Sequence, residues 1–305
     1  MQKRALVPMF ICFFIFLLII PDGCRKNEGT GSLKSDSGVL TVMTSFYPVY
    51  ISTINVTKGI DSVEVINMTS AQTGCLHDYQ LKPSDLTGLE KADVFIINGA
   101  GMEEFLSDVV NRLPDLVIVD TSKGIDLLKD SNNITNAHIW VDISNAMAQV
   151  RNIADGLAAA DSRNAVSFKS NASVYLSGLA DLLNKAEDEL SSLKTRDIVT
   201  FHEAFVYFAE EFNLNIVSVI ERDPNSTPTA KELENTISII NKSDSKVVFT
   251  EPQYSSKSAQ MIAEQTGAKI YELDPVVSGD SDPGAINDYI DAMNKNIMTL
   301  KEALG

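Results

Sequence analysis

The sequence predicts an α/β protein of two lobes, each a mostly parallel sheet flanked by helices, joined by one long backbone helix. Short β-branched and aromatic segments alternate with helical segments in both halves of the chain, which is typical of parallel sheets with helices on both faces. A helical pattern without proline separates the halves over residues 161–193. The length of 305 residues and a hydrophobic content of 44% suit two lobes of ordinary size.

The N-terminal lobe is predicted over residues 39–160. Its strands are apolar runs, at residues 39–45, 63–68, 92–98 and 117–120. Helices are predicted between and after them, at residues 47–57, 82–91, 102–112 and 143–157. Pro83 and Ser84 favour the start of the second helix, and the Gly-Ala-Gly turn at 99–101 precedes the third. Ligands of such sheets bind outside the carboxyl ends of the strands.

The connecting helix is predicted over residues 161–193, capped by Asp161 and interrupted only by Gly178. A helix of roughly thirty residues is about 45 Å long, which is more than one lobe needs. The C-terminal lobe, residues 194–305, repeats the alternating plan. Its predicted strands are residues 198–200, 216–219, 246–250 and 269–273, and its predicted helices are residues 204–212, 229–241, 255–266 and 285–303.

The first 38 residues carry targeting signals. Lys3 and Arg4 precede an apolar run from residue 5 to residue 20, so residues 1–23 are predicted to be an export signal peptide, with an uncleaved anchor as the alternative. Cys24 resembles the lipidated cysteine of bacterial lipoproteins, although Pro21 and Asp22 depart from the usual pattern. Residues 24–38 are predicted to be a flexible tether between membrane and fold, because they are almost devoid of apolar side chains.

Charge and cysteine usage exclude two classes of protein. A formal net charge of -16 excludes nucleic acid as a partner, because phosphate binding needs clustered Lys and Arg. The three cysteines are Cys12 in the signal, Cys24 at its end and Cys75. They cannot provide a disulfide framework in the mature chain.

The chain has only three histidines, His77, His138 and His202, each at the edge of an apolar segment. Their similar placement in both lobes predicts that they converge on one bound cation. Three imidazoles and a fourth donor form a tetrahedral zinc site. The first choice for the fourth ligand is Asp274, at the end of the last strand, with water, Asp78 and Cys75 as alternatives.

Each side chain also has a structural explanation. A single histidine at a strand end is more often a hydrogen-bonded residue than a ligand, and Asp274 before a proline can simply begin a turn. Cys75 can be a small buried hydrophobic residue. Glu251 and Asp78 are candidates for accepting an imidazole N–H behind the metal, while Glu251 can equally be a helix-start charge.

At these residues the chain resembles the zinc and manganese family of periplasmic or lipoprotein solute-binding proteins that serve ABC importers. The similarity covers nearly all of the mature chain and rests on these segments: T-S-F-Y-P-V-Y, H-D-Y-Q, A-D-V-F-I-I-N-G-A-G-M-E, H-I-W-V-D, T-F-H-E-A-F-V-Y-F-A, T-E-P-Q-Y-S-S-K and Y-E-L-D-P. The resemblance implies two α/β lobes on a backbone helix and places the metal ligands on His77, His138, His202 and Asp274.

The resemblance also implies a choice of metal. Manganese-specific members generally carry a carboxylate where this chain has His202, so a third imidazole favours zinc. Ala137 stands where a proline commonly precedes the second histidine, and the His-rich loop of some zinc members is absent, since the sequence has no histidine between His77 and His138.

The predicted function is therefore a non-enzymatic extracytoplasmic receptor that captures zinc as a transported ligand in the interlobe cleft and delivers it to an ABC-type permease. We expect a monomer, anchored to the cell membrane through an N-terminal lipid. The alternatives are a manganese receptor of the same family, a zinc-dependent hydrolase with Glu203 as base, and a surface adhesion module with a structural metal. The hydrolase alternative lacks an H-E-x-x-H motif.

Overall fold

The computed structural model describes residues 38–69, 75–76, 79–130, 132–220, 228–243 and 246–305. All of these residues lie in one compact unit. The predicted signal peptide and nearly all of the predicted tether, including Cys24, lie outside the described residues. Within the described ranges, no helix combines the length and the apolar character that crossing a membrane requires.

The N-terminal lobe is a four-stranded sheet with helices packed around it. The strands are β1 (Leu40–Thr44), β2 (Val63–Asn67), β3 (Val94–Ile97) and β4 (Val117–Asp120). They are paired in parallel in the order β2-β1-β3-β4. The helices are α1 (Tyr47–Val56), α2 (Pro83–Lys91), α3 (Ser107–Val110) and α4 (Ile143–Ala160). Every predicted strand of this lobe is present, and β1 and β3 are buried as their continuous apolar runs require.

Helix α5 (Ala165–Leu190) connects the two sheets. Its 26 residues span about 39 Å, so it is shorter at both ends than the predicted segment. Asp161 does not belong to it, because the Asp161 carboxylate accepts hydrogen bonds from Arg163 N and Asn164 Nδ2 in the turn between α4 and α5. The helix buries one stripe of apolar residues at helical spacing, consisting of Phe168, Ala172, Tyr175, Leu179, Leu182, Ala186 and Leu190.

The C-terminal lobe repeats the parallel architecture. Its strands are β5 (Asp197–Thr200), β6 (Asn215–Val219), β7 (Val247–Thr250) and β8 (Lys269–Glu272), in the order β6-β5-β7-β8. Its helices are α6 (Val206–Glu211), α7 (Ala230–Lys242), α8 (Lys257–Thr266) and α9 (Asp288–Leu304). Helix α5 packs against α1 and α4 of the N-terminal lobe and against α9 of the C-terminal lobe. The predicted fold class of two α/β lobes joined by one long helix is therefore confirmed.

The two lobes share one apolar core. A continuous cluster of buried side chains extends from β1 and α1 of the first lobe, through α4 and α5, to α9 at the end of the chain. Trp140 lies within it, with its ring edge-on to Phe46 at a centroid distance of 4.8 Å. Because the same core supports both sheets, the carboxyl ends of their strands keep a defined relative position.

The helix predicted at residues 102–112 is wrong over its first half. Gly99, Ala100 and Gly101 have positive φ values of 78°, 53° and 88°, so the chain leaves β3 through a left-handed turn. The buried Glu103 carboxylate then accepts hydrogen bonds from Asn98 N at 2.8 Å and from Gly99 N at 3.0 Å. These contacts fold the chain back over the end of β3, and regular helix begins only at α3.

Replacing Glu103 with alanine should destabilise the fold strongly. The Glu103→Ala variant leaves two buried backbone N–H groups without an acceptor, each costing about 1–3 kcal/mol, so the free energy of unfolding should fall by about 2–6 kcal/mol. Urea denaturation measures this change in the free energy of unfolding. The exposed neighbour Glu104 offers a matched control, because Glu104→Ala should change the unfolding free energy by less than about 0.5 kcal/mol. Equal effects of the two substitutions would contradict the role assigned to Glu103.

Candidate metal centre

Chemically active side chains collect where the strands of the C-terminal sheet end. His202 lies two residues after β5, Glu251 directly follows β7, and Asp274 follows β8. The carboxyl ends of parallel strands lie at one edge of a sheet, which is where α/β proteins bind ligands. The N-terminal lobe contributes His138, from the loop between β4 and α4.

The His138 imidazole is buried and held in a defined orientation. Only 3% of the residue is exposed, and it begins a short 3-10 turn over Ile139–Val141. Its Nδ1 lies 2.9 Å from Asn136 Oδ1, the same oxygen that accepts a hydrogen bond from the His138 backbone N–H. Since an amide oxygen can only accept, Nδ1 carries the proton and Nε2 presents its lone pair. Binding of a metal through Nε2 requires this tautomer.

Asn136 ties the His138 loop to the other lobe. Its Nδ2 donates to the carbonyl oxygen of Glu203 at 2.9 Å, and its own carbonyl accepts from Tyr207 Oη at 2.7 Å. Tyr207 Oη in turn accepts from Leu128 N at 3.0 Å. Because Glu203 adjoins His202, these bonds fix the position of one histidine relative to the other.

The His202 imidazole meets that of His138 at right angles. The ring centroids are 4.6 Å apart with an interplanar angle of 83°, and only 2% of His202 is exposed. Its Nδ1 faces Glu251 Oε2 at 3.7 Å, which is too long for a direct hydrogen bond. Glu251 is itself buried, and Gln253 Nε2 donates to its Oε2 at 2.6 Å. Glu251 therefore lies beside the His202 ring without a direct hydrogen bond to it, and its role as an acceptor behind the imidazole stays a prediction.

Cys75 completes the group of buried donors. Its Sγ lies 3.5 Å from His138 Nε2. One potential ligand atom each from Cys75, His138 and His202 lies within 4.8 Å of the other two. Burial, followed by the nearby Glu251 carboxylate, raises the pKa of the Cys75 thiol well above its ordinary value. Without a cation the thiol is therefore protonated at neutral pH.

The remaining predicted site residues divide into two sets. His77, Asp78 and Cys24 lie outside the described residues. Asp274 is described, but its carboxylate does not belong to the group around Cys75. Its Oδ1 accepts a hydrogen bond from Val276 N at 2.7 Å, as in the turn that the sequence offered as the alternative. Burial raises the pKa of Asp274, and Asn296 bonds both its backbone N–H and its carbonyl.

Two asparagines that position the site were not identified from the sequence. Asn136 could have been found from its place two residues before His138, since Asn side chains commonly accept a backbone N–H two residues on. Asn98, at the end of β3, donates to the carbonyl of Ala137 at 2.9 Å and accepts from Gln149 Nε2 at 3.0 Å. Its contact spans 39 residues of sequence, and no local pattern indicates it.

Comparisons with known proteins agree with this architecture. The family model for "Zinc-uptake complex component A periplasmic", ZnuA, matches residues 42–303. The high-affinity zinc uptake system protein ZnuA of Bacillus subtilis (strain 168) is 27% identical over 315 residues, covering 97% of each chain. The manganese-binding lipoprotein MntA of Halalkalibacterium halodurans is 29% identical over 301 residues, covering 96% of this chain and 98% of its own.

A solved structure of a zinc-bound protein is also similar to this chain. The crystal structure of the Zn(II)-bound ZnuA-like domain of Streptococcus pneumoniae AdcA is similar to this chain with a TM-score of 0.77 and 27% identity, over 88% of this chain and 99% of that one. The family consists of extracytoplasmic, metal-binding receptors and not of enzymes, so the hydrolase alternative has no support. Since the family model covers most of the chain, this protein belongs to the ZnuA family of zinc-uptake components.

Proposed function

We propose that this protein captures zinc between its two lobes, outside the cytoplasm, and delivers the ion to the permease of an ABC importer. One observation carries the proposal: the buried imidazoles of His138 and His202 come from different lobes and meet with ring centroids 4.6 Å apart. His77 is the third proposed imidazole ligand. A fourth donor is then needed, for which the sequence predicts Asp274 and leaves water, Asp78 and Cys75 as alternatives.

The surroundings of the two imidazoles suit a divalent cation. Neutral imidazole is a preferred ligand of zinc, at Zn–N distances of about 2.0–2.1 Å. Asn136 fixes the tautomer of His138, and Glu251 lies on the Nδ1 side of His202. The carboxylate of Glu251 also offsets the positive charge of the bound cation, which is useful because the site is shielded from bulk water.

The packing between the lobes favours release by local loosening and not by wide opening. Trp140 Nε1 donates to the carbonyl of Pro275 at 2.7 Å, and Tyr289 Oη donates to the carbonyl of Trp140 at 2.9 Å. Wide separation of the lobes would break these buried bonds and the shared core. We therefore propose that contact with the permease displaces the site loops, including the Cys75 segment, while α5 keeps the lobes together.

The N-terminal region is proposed to anchor the receptor to the cell membrane. In this proposal residues 1–23 are the signal peptide, Cys24 carries the lipid, and residues 24–38 are a tether to a monomer with lobes at 39–160 and 194–305 joined by 161–193. Its support is the charged and apolar pattern of the first 24 residues. Two relatives carry the word lipoprotein in their names, MntA of Halalkalibacterium halodurans and the zinc-binding lipoprotein AdcA of Streptococcus pneumoniae.

Removing either described histidine should abolish tight zinc binding. His138→Ala and His202→Ala each delete one proposed ligand. The dissociation constant for zinc should therefore rise by more than about 100-fold, because losing a residue that only supports a ligand already raises it by about 10–100-fold. Competition with a chromophoric zinc chelator measures the constants on the purified full chain.

The control is Asn132→Ala, an exposed polar residue on the loop that leads to His138. It should leave zinc affinity unchanged. Circular dichroism should show that all three variants are folded. An unchanged zinc affinity in either folded histidine variant would refute the proposed site.

Asn136 should contribute through the orientation of His138. Asn136→Ala removes the acceptor of the Nδ1 proton and the side-chain bond to the Glu203 carbonyl, so zinc affinity should fall by about 10–100-fold. Asn136→Asp retains an acceptor for Nδ1 and should recover part of that loss. If Asp were no better than Ala, orientation through Nδ1 would not be the role of this residue.

Manganese is the second candidate ligand, because one relative at 29% identity is named a manganese-binding lipoprotein. An imidazole-rich site should nevertheless bind zinc at least about tenfold more tightly, since nitrogen donors favour zinc and hard oxygen donors favour manganese. Equilibrium dialysis of the full chain against equal concentrations of both ions, followed by metal analysis, decides between them. Retention of manganese in preference to zinc would identify a manganese receptor.

A further inference from the structure

Cys75 is a buried thiol that faces the same space as both described histidines. Its exposed fraction is 9%, against 3% for His138 and 2% for His202. Its Sγ is 3.5 Å from His138 Nε2, the nitrogen whose lone pair Asn136 leaves available. One ligand atom from each of the three residues lies within 4.8 Å of the others.

The Sγ to Nε2 distance matches the edge of a zinc coordination tetrahedron. Zinc binds thiolate sulfur at about 2.3 Å and imidazole nitrogen at about 2.0–2.1 Å, so at the tetrahedral angle the sulfur and the nitrogen are about 3.6 Å apart. The observed 3.5 Å also permits an S–H···N contact. Zinc could therefore replace the thiol proton without a large movement of either side chain.

Glu251 points independently to a cation in this space. The residue is only 3% exposed, and its Oε1 is buried with no hydrogen-bond partner among the residues that the structure describes. Its other oxygen lies 3.7 Å from His202 Nδ1. A buried carboxylate needs a nearby positive charge. A zinc ion with one thiolate ligand and the Glu251 carboxylate behind it has no net charge when its other ligands are neutral imidazoles.

The Asp274 carboxylate stabilises a turn of the backbone. Its Oδ1 accepts from Val276 N at 2.7 Å, and Val276 has a positive φ of 59°. A β-branched residue in this conformation is strained, and the Asp274 hydrogen bond helps to hold it there. One oxygen of this carboxylate is therefore already bonded to the backbone, and the carboxylate does not belong to the group of ligand atoms formed by Cys75, His138 and His202.

We propose that Cys75, in place of Asp274, binds the zinc ion as a thiolate beside His138 and His202. The inference rests on the proposed zinc site. When zinc binds, the S–H bond breaks, the proton leaves to solvent, and a Zn–S bond forms without any change of oxidation state. A soft sulfur donor disfavours manganese, so Cys75 would also determine specificity for zinc.

Cobalt(II) substitution tests this ligand directly, because cobalt adopts zinc geometry and reports sulfur ligation by a charge-transfer band in the near ultraviolet. The full chain loaded with cobalt should show visible d–d absorption of tetrahedral cobalt together with this band. Cys75→Ser should keep the d–d absorption and lose the band, and its ratio of zinc to manganese affinity should fall by about tenfold or more. Cys24→Ser makes the same change at a cysteine outside the proposed site and should retain the band.

Two results would overturn the proposal, and they differ in scope. Tetrahedral cobalt absorption without the charge-transfer band in the unsubstituted chain, or a band that persists in Cys75→Ser, would remove Cys75 as a ligand and leave the zinc receptor intact. Absence of any bound cobalt or zinc in the unsubstituted chain would refute the receptor itself, and the Cys75 assignment with it.

Discussion

The contact between the imidazoles of His138 and His202 is the constraint on which the rest of the structure depends. The two rings come from different lobes and are both buried, so they meet only if the lobes pack in one relative position. Asn136 enforces that position through its bonds to the His138 ring and to the Glu203 carbonyl. The shared apolar core and helix α5 supply the rigidity that these polar contacts require.

The groups proposed to bind the cation destabilise the folded protein when no cation is present. A buried Glu251 carboxylate beside a buried thiol and two imidazoles is unfavourable unless a cation enters. A receptor that releases its ion must nevertheless remain folded when empty, unlike small domains whose folding depends on metal. The core that runs through both lobes provides this stability from apolar burial far from the site. Metal affinity and folding stability are thereby separated in the structure.

Much of this fold could be predicted from local patterns. The apolar β-branched runs at Val94–Ile97 and Val247–Thr250 form buried parallel strands, as their composition indicates. The α-helix expected after Gly101 begins only at Ser107, because three successive residues adopt positive φ and Glu103 folds back onto β3. That outcome depends on a side-chain contact to backbone and not on helix propensity, so periodicity could not detect it.

The site was predictable in its residue types and less so in its geometry. The presence of only three histidines, each at the edge of an apolar segment, predicts that they converge on one cation. The structure brings two of them, His138 and His202, together. Position at a strand end does not distinguish a ligand from a turn residue, so the sequence alone leaves both Asp274 and Cys75 as candidates for the fourth ligand. The asparagines that orient His138 act across the tertiary structure. Asn98 and Asn136 make contacts 39 and 67 residues away, which no local pattern encodes.

Anomalous diffraction at the zinc absorption edge, from crystals of the zinc-loaded protein, shows where the ion is bound. We expect one strong peak within about 2.0–2.1 Å of a ring nitrogen of both His138 and His202. Zinc bound elsewhere on the chain, with no peak between these two imidazoles, would contradict it.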